Sequence, residues 1–197
     1  MATARTPRRA WVEAGLQALG VGGPDAVRVE SLARTLGVTK GGFYGFFADR
    51  AALLTEVLDL WEQRTIADTL EQVECEGGDA VTRSRRAAEL TFAPELLPVD
   101  LAVRDWARRE PAVAERLQRV DDQRMEYLRS QFRERFPDPD ELEARCLLAF
   151  SAAIAAGLIA VEHPRGSRAE VLGRATRLLF AGPSPERELR SPDGGRA

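Results

Sequence analysis

Apolar residues recur at helical spacing along nearly the whole chain, and glycine or proline interrupts the pattern at intervals. Leucine and alanine dominate this apolar set, whereas only 7% of the 197 residues are aromatic. Strands prefer β-branched and aromatic side chains, so this composition favours helices. No segment shows the two-residue alternation of a half-buried strand. The sequence therefore predicts an all-α protein with about nine helices.

Glycine and proline divide the chain into predicted helices and short breaks. The clearest break is Gly77-Gly78, and Pro137 with Pro139 stops a long predicted helix. Residues 183–197 are rich in proline, glycine and charge, and we expect them to form a disordered tail. The predicted helices cover residues 7–19, 29–36, 40–46, 50–74, 80–92, 101–109, 111–136, 140–161 and 167–181.

Several classes of protein do not fit the sequence. The two cysteines, Cys75 and Cys146, give neither a disulfide framework nor a zinc-ligand spacing. His163 is the only histidine, and no Walker-type phosphate loop, HExxH motif or nucleophile elbow is present. The longest apolar run, residues 147–161, is shorter than the roughly 20 residues that span a bilayer, and no apolar run follows the basic N-terminus. We therefore expect a cytoplasmic protein that is not an enzyme, with no cofactor, no metal and no membrane partner.

The formal net charge is −3, but the charge is unevenly distributed. Residues 1–50 carry seven basic and four acidic groups, whereas the remaining 147 residues carry 21 basic and 27 acidic groups. A positive end on an acidic body suits a protein that presents one face to phosphates. The alternative interpretation is a chance excess of basic residues.

Residues 29–47, VESLARTLGVTKGGFYGFF, predict two short helices joined by a tight turn at Gly37. Ala33 permits the helices to cross closely, and Val38 is expected to fill the core between them. This is the arrangement of a helix-turn-helix, in which the second helix is short enough to lie in a DNA major groove.

The second helix of this unit begins with small and polar residues. We expect Thr39 to cap it. Gly41 and Gly42 let the backbone approach a duplex, and Lys40 can reach a phosphate or a guanine edge. Tyr44 follows one turn later, where its phenol can hydrogen-bond a phosphate. The alternative is a plain helical subdomain. Four aromatic residues are assigned to the core rather than to base stacking: Trp11, Phe43, Phe47 and Trp61.

The segment SLARTLGVTKGGFY, followed by Phe47, Asp49-Arg50 and Ala52-Leu53-Leu54, resembles the tetracycline-repressor (TetR) family of bacterial transcription regulators. The similarity in sequence pattern covers residues 8–61, and the helix count agrees over nearly the whole chain. The combination of these sequence motifs is more specific for the family than a helix-turn-helix pattern alone.

The resemblance implies two domains and a mode of action. A helix-turn-helix DNA-binding domain is expected over residues 1–50, and a helical ligand-binding and dimerisation domain over residues 51–182. The homodimer is expected to bind a palindromic operator in double-stranded DNA. Such a regulator is most often a repressor, and binding of a small, largely apolar effector in the C-terminal domain is expected to release it from the operator.

The resemblance also implies DNA contacts, with three departures from the family pattern. Arg50 is the first residue of a predicted helix whose expected N-cap is Asp49. The helix dipole favours an acidic residue at this position. In the family, a basic residue there binds a phosphate together with the helix N-terminus. Arg50 replaces the usual lysine, Arg28 replaces a threonine, and Gly45-Phe46 replaces an aromatic residue and a histidine. The expected DNA contacts are Arg28, Thr39, Lys40, Gly41, Gly42, Tyr44 and Arg50.

Residues 140–161 are apolar nearly all round, so this helix must be buried on more than one side. The simplest arrangement packs it and the next helix against their copies in a second subunit as a four-helix bundle, as TetR-like proteins do. The alternative is a fully buried helix of a monomer. The expected dimer contacts are Ala149, Ala153, Ala156, Ala160, Val171, Ala175 and Leu178.

Family members hold a ligand between these helices and the long fourth helix, and residues 101–128 resemble the middle of many such regulators. A structural role in the core is the alternative for each residue there. The expected ligand-lining groups are Phe92, Arg104, Trp106, Arg124, Met125 and Tyr127. Two alternative functions are an α-helical enzyme, and a helical scaffold or adaptor that has lost sequence-specific DNA binding.

Overall fold

The computed structural model describes residues 7–181, and every regular element in that range is helical. The helices α1–α5 are Arg8–Gly22, Val29–Thr35, Lys40–Phe43, Arg50–Gln63 and Thr69–Glu76. The helices α6–α10 are Ala80–Thr91, Leu97–Ala107, Pro111–Phe132, Pro139–Leu158 and Arg168–Leu179. A π-helical turn, Arg64–Asp68, joins α4 to α5, so the described range holds nine continuous α-helices. The predicted all-α fold is confirmed.

Several helix ends lie about one turn from their predicted positions. α7 begins at Leu97 rather than near Leu101, because Pro98 lies in the first turn, where its missing N–H is no loss. α3 ends at Phe43 rather than Phe46, and α8 ends at Phe132 rather than near residue 136. The predicted cap of α4 is confirmed, since the carboxylate of Asp49 accepts a hydrogen bond from the Ala52 N–H at 2.8 Å.

The chain divides into two compact units, residues 1–127 and residues 128–197. The two units are defined by the contacts within each of them and not by what they do. The predicted DNA-binding domain (residues 1–50) and ligand-binding domain (residues 51–182) therefore stay predictions. The predicted tail, residues 183–197, lies outside the described residues.

In the first unit, α1 packs against both α4 and α7. A Cβ on Gly15 would lie 2.6 Å from the Val57 methyl Cγ2, so the approach of α1 to α4 requires glycine there. A Cβ on Gly20 would lie 3.1 Å from Val99 of α7, a second tight contact. Helices α1, α2 and α3 thus share one core with α4 and α7.

In the second unit, α9 packs against α10. The ring of Phe132 stacks on Phe180, with ring centres 3.5 Å apart, and both side chains are buried. Ser167 caps α10 in a reciprocal arrangement with Glu170, in which each side chain bonds the other's backbone N–H. A capped helix and an aromatic pair therefore hold this unit together.

Candidate nucleic-acid interface

The turn between α2 and α3 is built by the glycine that the sequence singles out. Gly37 has φ 67°, a left-handed conformation that side-chain-bearing residues rarely adopt. The Gly37 N–H donates to the Arg34 carbonyl at 3.2 Å, and the Val38 N–H donates to the Ala33 carbonyl at 2.9 Å. These two bonds form a Schellman motif, which ends α2 and fixes the direction in which α3 leaves.

The N-terminal end of α3 is exposed. We call Thr39, Lys40, Gly41 and Gly42 the recognition tip; all four are solvent-exposed. One residue further on, Phe43 is fully buried against Trp11, with ring centres 5.4 Å apart. The core assignment of the four aromatic residues Trp11, Phe43, Phe47 and Trp61 is confirmed. Phe43 therefore anchors a short helix whose tip is not covered by the first unit.

Nothing in the fold requires the two glycines of the recognition tip. A Cβ on Gly42 would meet no atom within 4 Å, and one on Gly41 only the Thr39 hydroxyl at 3.8 Å. Glycine costs a helix about 1 kcal/mol relative to alanine. Residues that weaken the helix without a packing reason are typical of a place where another backbone approaches closely.

The ammonium group of Lys40 is bound to the carboxylate of Glu30 on α2. This hydrogen bond raises the pKa of Lys40 and lowers the pKa of Glu30. Both side chains are exposed, so a phosphate can compete with the carboxylate for the lysine. The sequence analysis missed Glu30, because ten residues and a turn separate it from Lys40 and no periodicity relates them.

Three of the four remaining predicted contacts have different surroundings. Tyr44 is 56% exposed and stands edge-on to the buried Phe43 ring. Arg28 is exposed at the N-cap of α2, where its Nε donates to the Asp25 carbonyl at 2.9 Å. The hydroxyl of Thr39 makes no capping hydrogen bond to the described helix, although Thr39 holds the N-cap position.

Arg50 is more enclosed than the sequence suggests. Its Nε donates to the Val27 carbonyl at 2.7 Å, and its Nη2 donates to the Pro24 carbonyl. The guanidinium therefore fastens the connection between α1 and α2 to the start of α4, which accounts for a basic residue in that first turn. A contact between Arg50 and phosphate stays a prediction.

The first unit also holds a group of charged residues that we call the interior ion-pair cluster: Asp100, Arg104, Asp121 and Arg124. Asp100 on α7 is fully buried, and its two oxygens accept from Arg104 Nε and Arg124 Nη2, each at 2.8 Å. Asp121 on α8 accepts two bonds from Arg104, both at 2.8 Å, and one from Arg124 at 3.1 Å. The cluster ties α7 to α8, and its formal charges sum to zero.

The structure brings some of the predicted ligand-lining groups together and not others. The guanidinium carbon of Arg124 lies 5.6 Å from the ring centre of Phe92, and Arg104 and Arg124 share both aspartates. Trp106 instead packs on the main core, and Met125 is buried. Tyr127 is partly buried, and burial raises its pKa. The sequence analysis missed Asp100, although its spacing of four from Arg104 was an available signal.

The predicted dimer contacts also fall into different environments. Ala153 is buried within its own unit, whereas Ala149, Ala156, Val171 and Ala175 are half-buried. Ala160 is exposed, and Leu178 is 76% exposed. Larger apolar side chains that were not predicted are exposed on α9 and just after it: Leu147, Leu148, Leu158, Ile159 and Val161 are each about half exposed or more.

In residues 7–181, no three His, Cys, Asp or Glu side chains are grouped so that they could hold a metal ion. None of the described helices is both long enough and apolar enough to cross a lipid bilayer.

An exposed recognition tip on a helix-turn-helix, within a described range whose regular elements are all helical, is the arrangement typical of helix-turn-helix DNA-binding proteins. Residues 12–57 match the family model described as bacterial regulatory proteins, tetR family. The resemblance to the TetR family is thereby confirmed. No curated protein matches the chain.

Solved structures of regulators share the fold over most of the chain. A transcriptional regulator from Rhodococcus sp. Rha1 is 19% identical, with a TM-score of 0.65 over 89% of this chain and 94% of that one. The TetR family regulator PfmR from Thermus thermophilus is 21% identical, with a TM-score of 0.62 over 89% and 98%. The regulator FadR from Bacillus subtilis, solved in complex with stearoyl-CoA, is 13% identical, with a TM-score of 0.65 over 90% and 100%. The chain has the fold of TetR-family transcriptional regulators.

Proposed function

We propose that the protein is a cytoplasmic, homodimeric DNA-binding transcription regulator that reads a palindromic operator. The observation that carries the proposal is the recognition tip, which is exposed, glycine-rich and held rigidly by the buried Phe43. A short helix held in this way can enter a major groove, where Lys40 reaches a phosphate or a guanine edge. Arg28 and Tyr44 are exposed in the same helix-turn-helix, and they would extend the contact to the phosphate backbone of the DNA.

The dimer is supported by the surface of the second unit. Leu147 and Leu158, eleven residues apart, lie within about 20° of each other around α9, and Leu148 lies about 100° from Leu147. Each of the three is 54–62% exposed. Large exposed apolar side chains grouped on one helix are typical of a protein–protein contact. A second copy is the occupant that a palindrome-reading protein needs, because a two-fold site requires two recognition helices.

We propose that a small, largely apolar effector binds in the first unit and releases the DNA, which makes the protein a repressor. FadR, with the same fold, was solved with stearoyl-CoA. Helix α4 offers a route for coupling: Arg64 in its π-helical turn donates to both Glu13 oxygens on α1 at 2.6 Å. An effector that shifts the equilibrium between two positions of α4 would therefore shift α1 and the recognition tip with it.

A mobility-shift assay on the DNA that flanks the gene tests DNA binding. We expect a specific complex whose affinity falls steeply with salt, because lysine and arginine displace counterions from phosphates. Loss of all sequence preference at low salt would instead support the scaffold alternative, for which the Gly45-Phe46 departure is the sequence argument.

Sedimentation of a Leu148→Arg variant tests the dimer. We expect the wild-type chain to sediment as two copies and the variant as one, with weakened operator binding. The matched control is Arg85→Glu, a charge change on the exposed face of α6 in the first unit. Wild-type protein that sediments as a single copy would contradict the proposal.

A further inference from the structure

Two buried hydrogen-bond donors lie side by side in the first unit without a partner. Trp61 on α4 is fully buried, and Arg124 on α8 is 8% exposed. The guanidinium carbon of Arg124 lies 5.8 Å from the ring centre of Trp61. Neither Trp61 Nε1 nor Arg124 Nε finds an acceptor among residues 7–181. A buried donor left unpaired costs roughly 1–3 kcal/mol, so such a pair calls for an acceptor from elsewhere.

The remaining nitrogens of Arg124 are engaged, which fixes the guanidinium in place. Its Nη2 donates to Asp100 at 2.8 Å and its Nη1 to Asp121 at 3.1 Å. The guanidinium carbon also lies 5.6 Å from the ring centre of Phe92, a residue that is partly exposed. A ligand that reaches Arg124 Nε therefore meets a donor whose direction is already set.

The helix that carries Trp61 is distorted at this point. The π-helical turn Arg64–Asp68 begins three residues later, and the hydroxyl of Thr65 donates to the Trp61 carbonyl at 2.9 Å. Single π-helical turns inside α-helices occur frequently at functional sites. The distortion is an observation independent of the unpaired donors, and it begins three residues after Trp61.

Charge determines the kind of acceptor. The interior ion-pair cluster holds two arginines and two aspartates, so it is already neutral. A carboxylate brought beside it would be a buried, uncompensated charge, which is costly. An ammonium group would bring more donors to a place that has only donors free. A neutral oxygen acceptor satisfies both nitrogens without either cost.

We propose that Trp61 Nε1 and Arg124 Nε bind the carbonyl-type oxygen of a neutral, mainly apolar effector, such as an ester, ketone, lactone or amide. The proposal rests on the proposed function only in calling this ligand the effector. The apolar part of the ligand lies against Phe92 and the ring of Trp61. Arg124 passes the contact on through Asp100 to α7, which packs against α1.

Calorimetric titration of the full-length protein with three probes of matched chain length tests the ligand class. The probes are methyl nonanoate, decanoate and decylamine. We expect the ester to bind about tenfold tighter than the acid or the amine, the ratio that one hydrogen bond of about 1.4 kcal/mol supplies. Tighter binding of decanoate, equal binding of the three, or no binding of any up to the solubility limit would overturn the proposal.

The variant Trp61→Phe tests the residue assignment, because it keeps a buried aromatic ring and removes the donor. We expect its affinity for methyl nonanoate to fall about tenfold while its affinity for decylamine is unchanged. The matched control Trp11→Phe alters a tryptophan that is equally buried, beside Phe43, and should bind all three probes as the wild type does. Equal losses in the two variants would overturn the assignment to Trp61.

Arg124→Lys keeps the charge and lacks the Nε–H, so it is a second test that does not depend on Trp61. We expect the ester to lose its advantage over the amine in this variant, and a retained advantage would contradict the role of Arg124. These titrations contain no DNA. Failure of operator binding would therefore refute the proposed function alone, and failure of the ester preference would refute this inference alone.

Discussion

The recognition tip and the interior ion-pair cluster both depend on basic side chains beside acidic ones, yet the two regions differ in what water can reach. Lys40 and its partner Glu30 are half exposed or more, so a competing phosphate can separate them. Asp100 and Arg124 are almost wholly enclosed, so neither can lose its partner without a buried charge. Ion pairs at the surface are thus available for exchange with a ligand, whereas those in the interior fix the positions of helices.

The largest expected effect is a loss of stability when the interior ion-pair cluster is broken. Asp100→Asn leaves Arg104 and Arg124 without their shared carboxylate, and we expect the free energy of unfolding to fall by about 3–5 kcal/mol in urea denaturation. Asp105→Asn is the control, since Asp105 pairs with Arg109 on the same helix but both are mainly exposed. We expect little change in the control, and equal losses in the two variants would remove the distinction between the regions.

The next effect concerns DNA binding at the tip. Lys40→Ala should weaken operator binding about tenfold and reduce the salt dependence by about one counterion per subunit, while leaving thermal unfolding nearly unchanged. Arg109→Ala, a change of the same charge just beyond the end of α7, is the control, because Arg109 is mainly exposed. A salt titration by fluorescence anisotropy measures both variants, and an unaltered slope for Lys40→Ala would contradict the assigned phosphate contact.

A glycine of the tip separates stability from binding. A Cβ fits on Gly42, so Gly42→Ala should raise the free energy of unfolding by up to about 1 kcal/mol. The same methyl group should lower DNA affinity if the backbone of α3 meets the duplex closely. Gly37→Ala is the contrast: with φ 67° it should destabilise the fold. If Gly42→Ala raised both the free energy of unfolding and the DNA affinity measured by anisotropy, the result would argue against a functional glycine.

The smallest expected effect on DNA affinity comes from breaking the ion pair between Lys40 and Glu30. Glu30→Gln removes the acidic competitor, so we expect affinity for any DNA to rise a few-fold, with a steeper salt dependence. The control is Glu74→Gln on α5, whose carboxylate pairs with Arg83 in the same unit, away from the tip. Unchanged affinity in Glu30→Gln would show that the lysine does not exchange partners.

The features predicted from sequence are those set by local rules. Gly37 ends α2, Asp49 caps α4 and Phe43 enters the core, because each depends on spacing within a few residues. Contacts made through the tertiary fold were missed. The Lys40–Glu30 pair depends on the angle between two helices, and Arg50 reaches carbonyls of a loop more than twenty residues earlier.

The second unit shows a different limit of sequence analysis. Residues 140–161 are apolar on nearly every side, so periodicity does not tell which face turns inward. Ala153 was expected in the dimer contact and is buried in its own unit, while Leu147 and Leu148 are exposed. Small residues alone did not identify the outer face of α9, and exposure in the folded unit was needed to find it.

Footprinting of the wild-type protein on the DNA that flanks its gene tests the central claim most directly. Two recognition tips in a dimer should protect two half-sites of one palindrome, about 10 base pairs apart from centre to centre or a multiple of that spacing. Protection of these half-sites by the wild type and its loss in Lys40→Ala are the results we predict. Uniform protection without sequence preference, or an identical footprint from Lys40→Ala, would contradict the account.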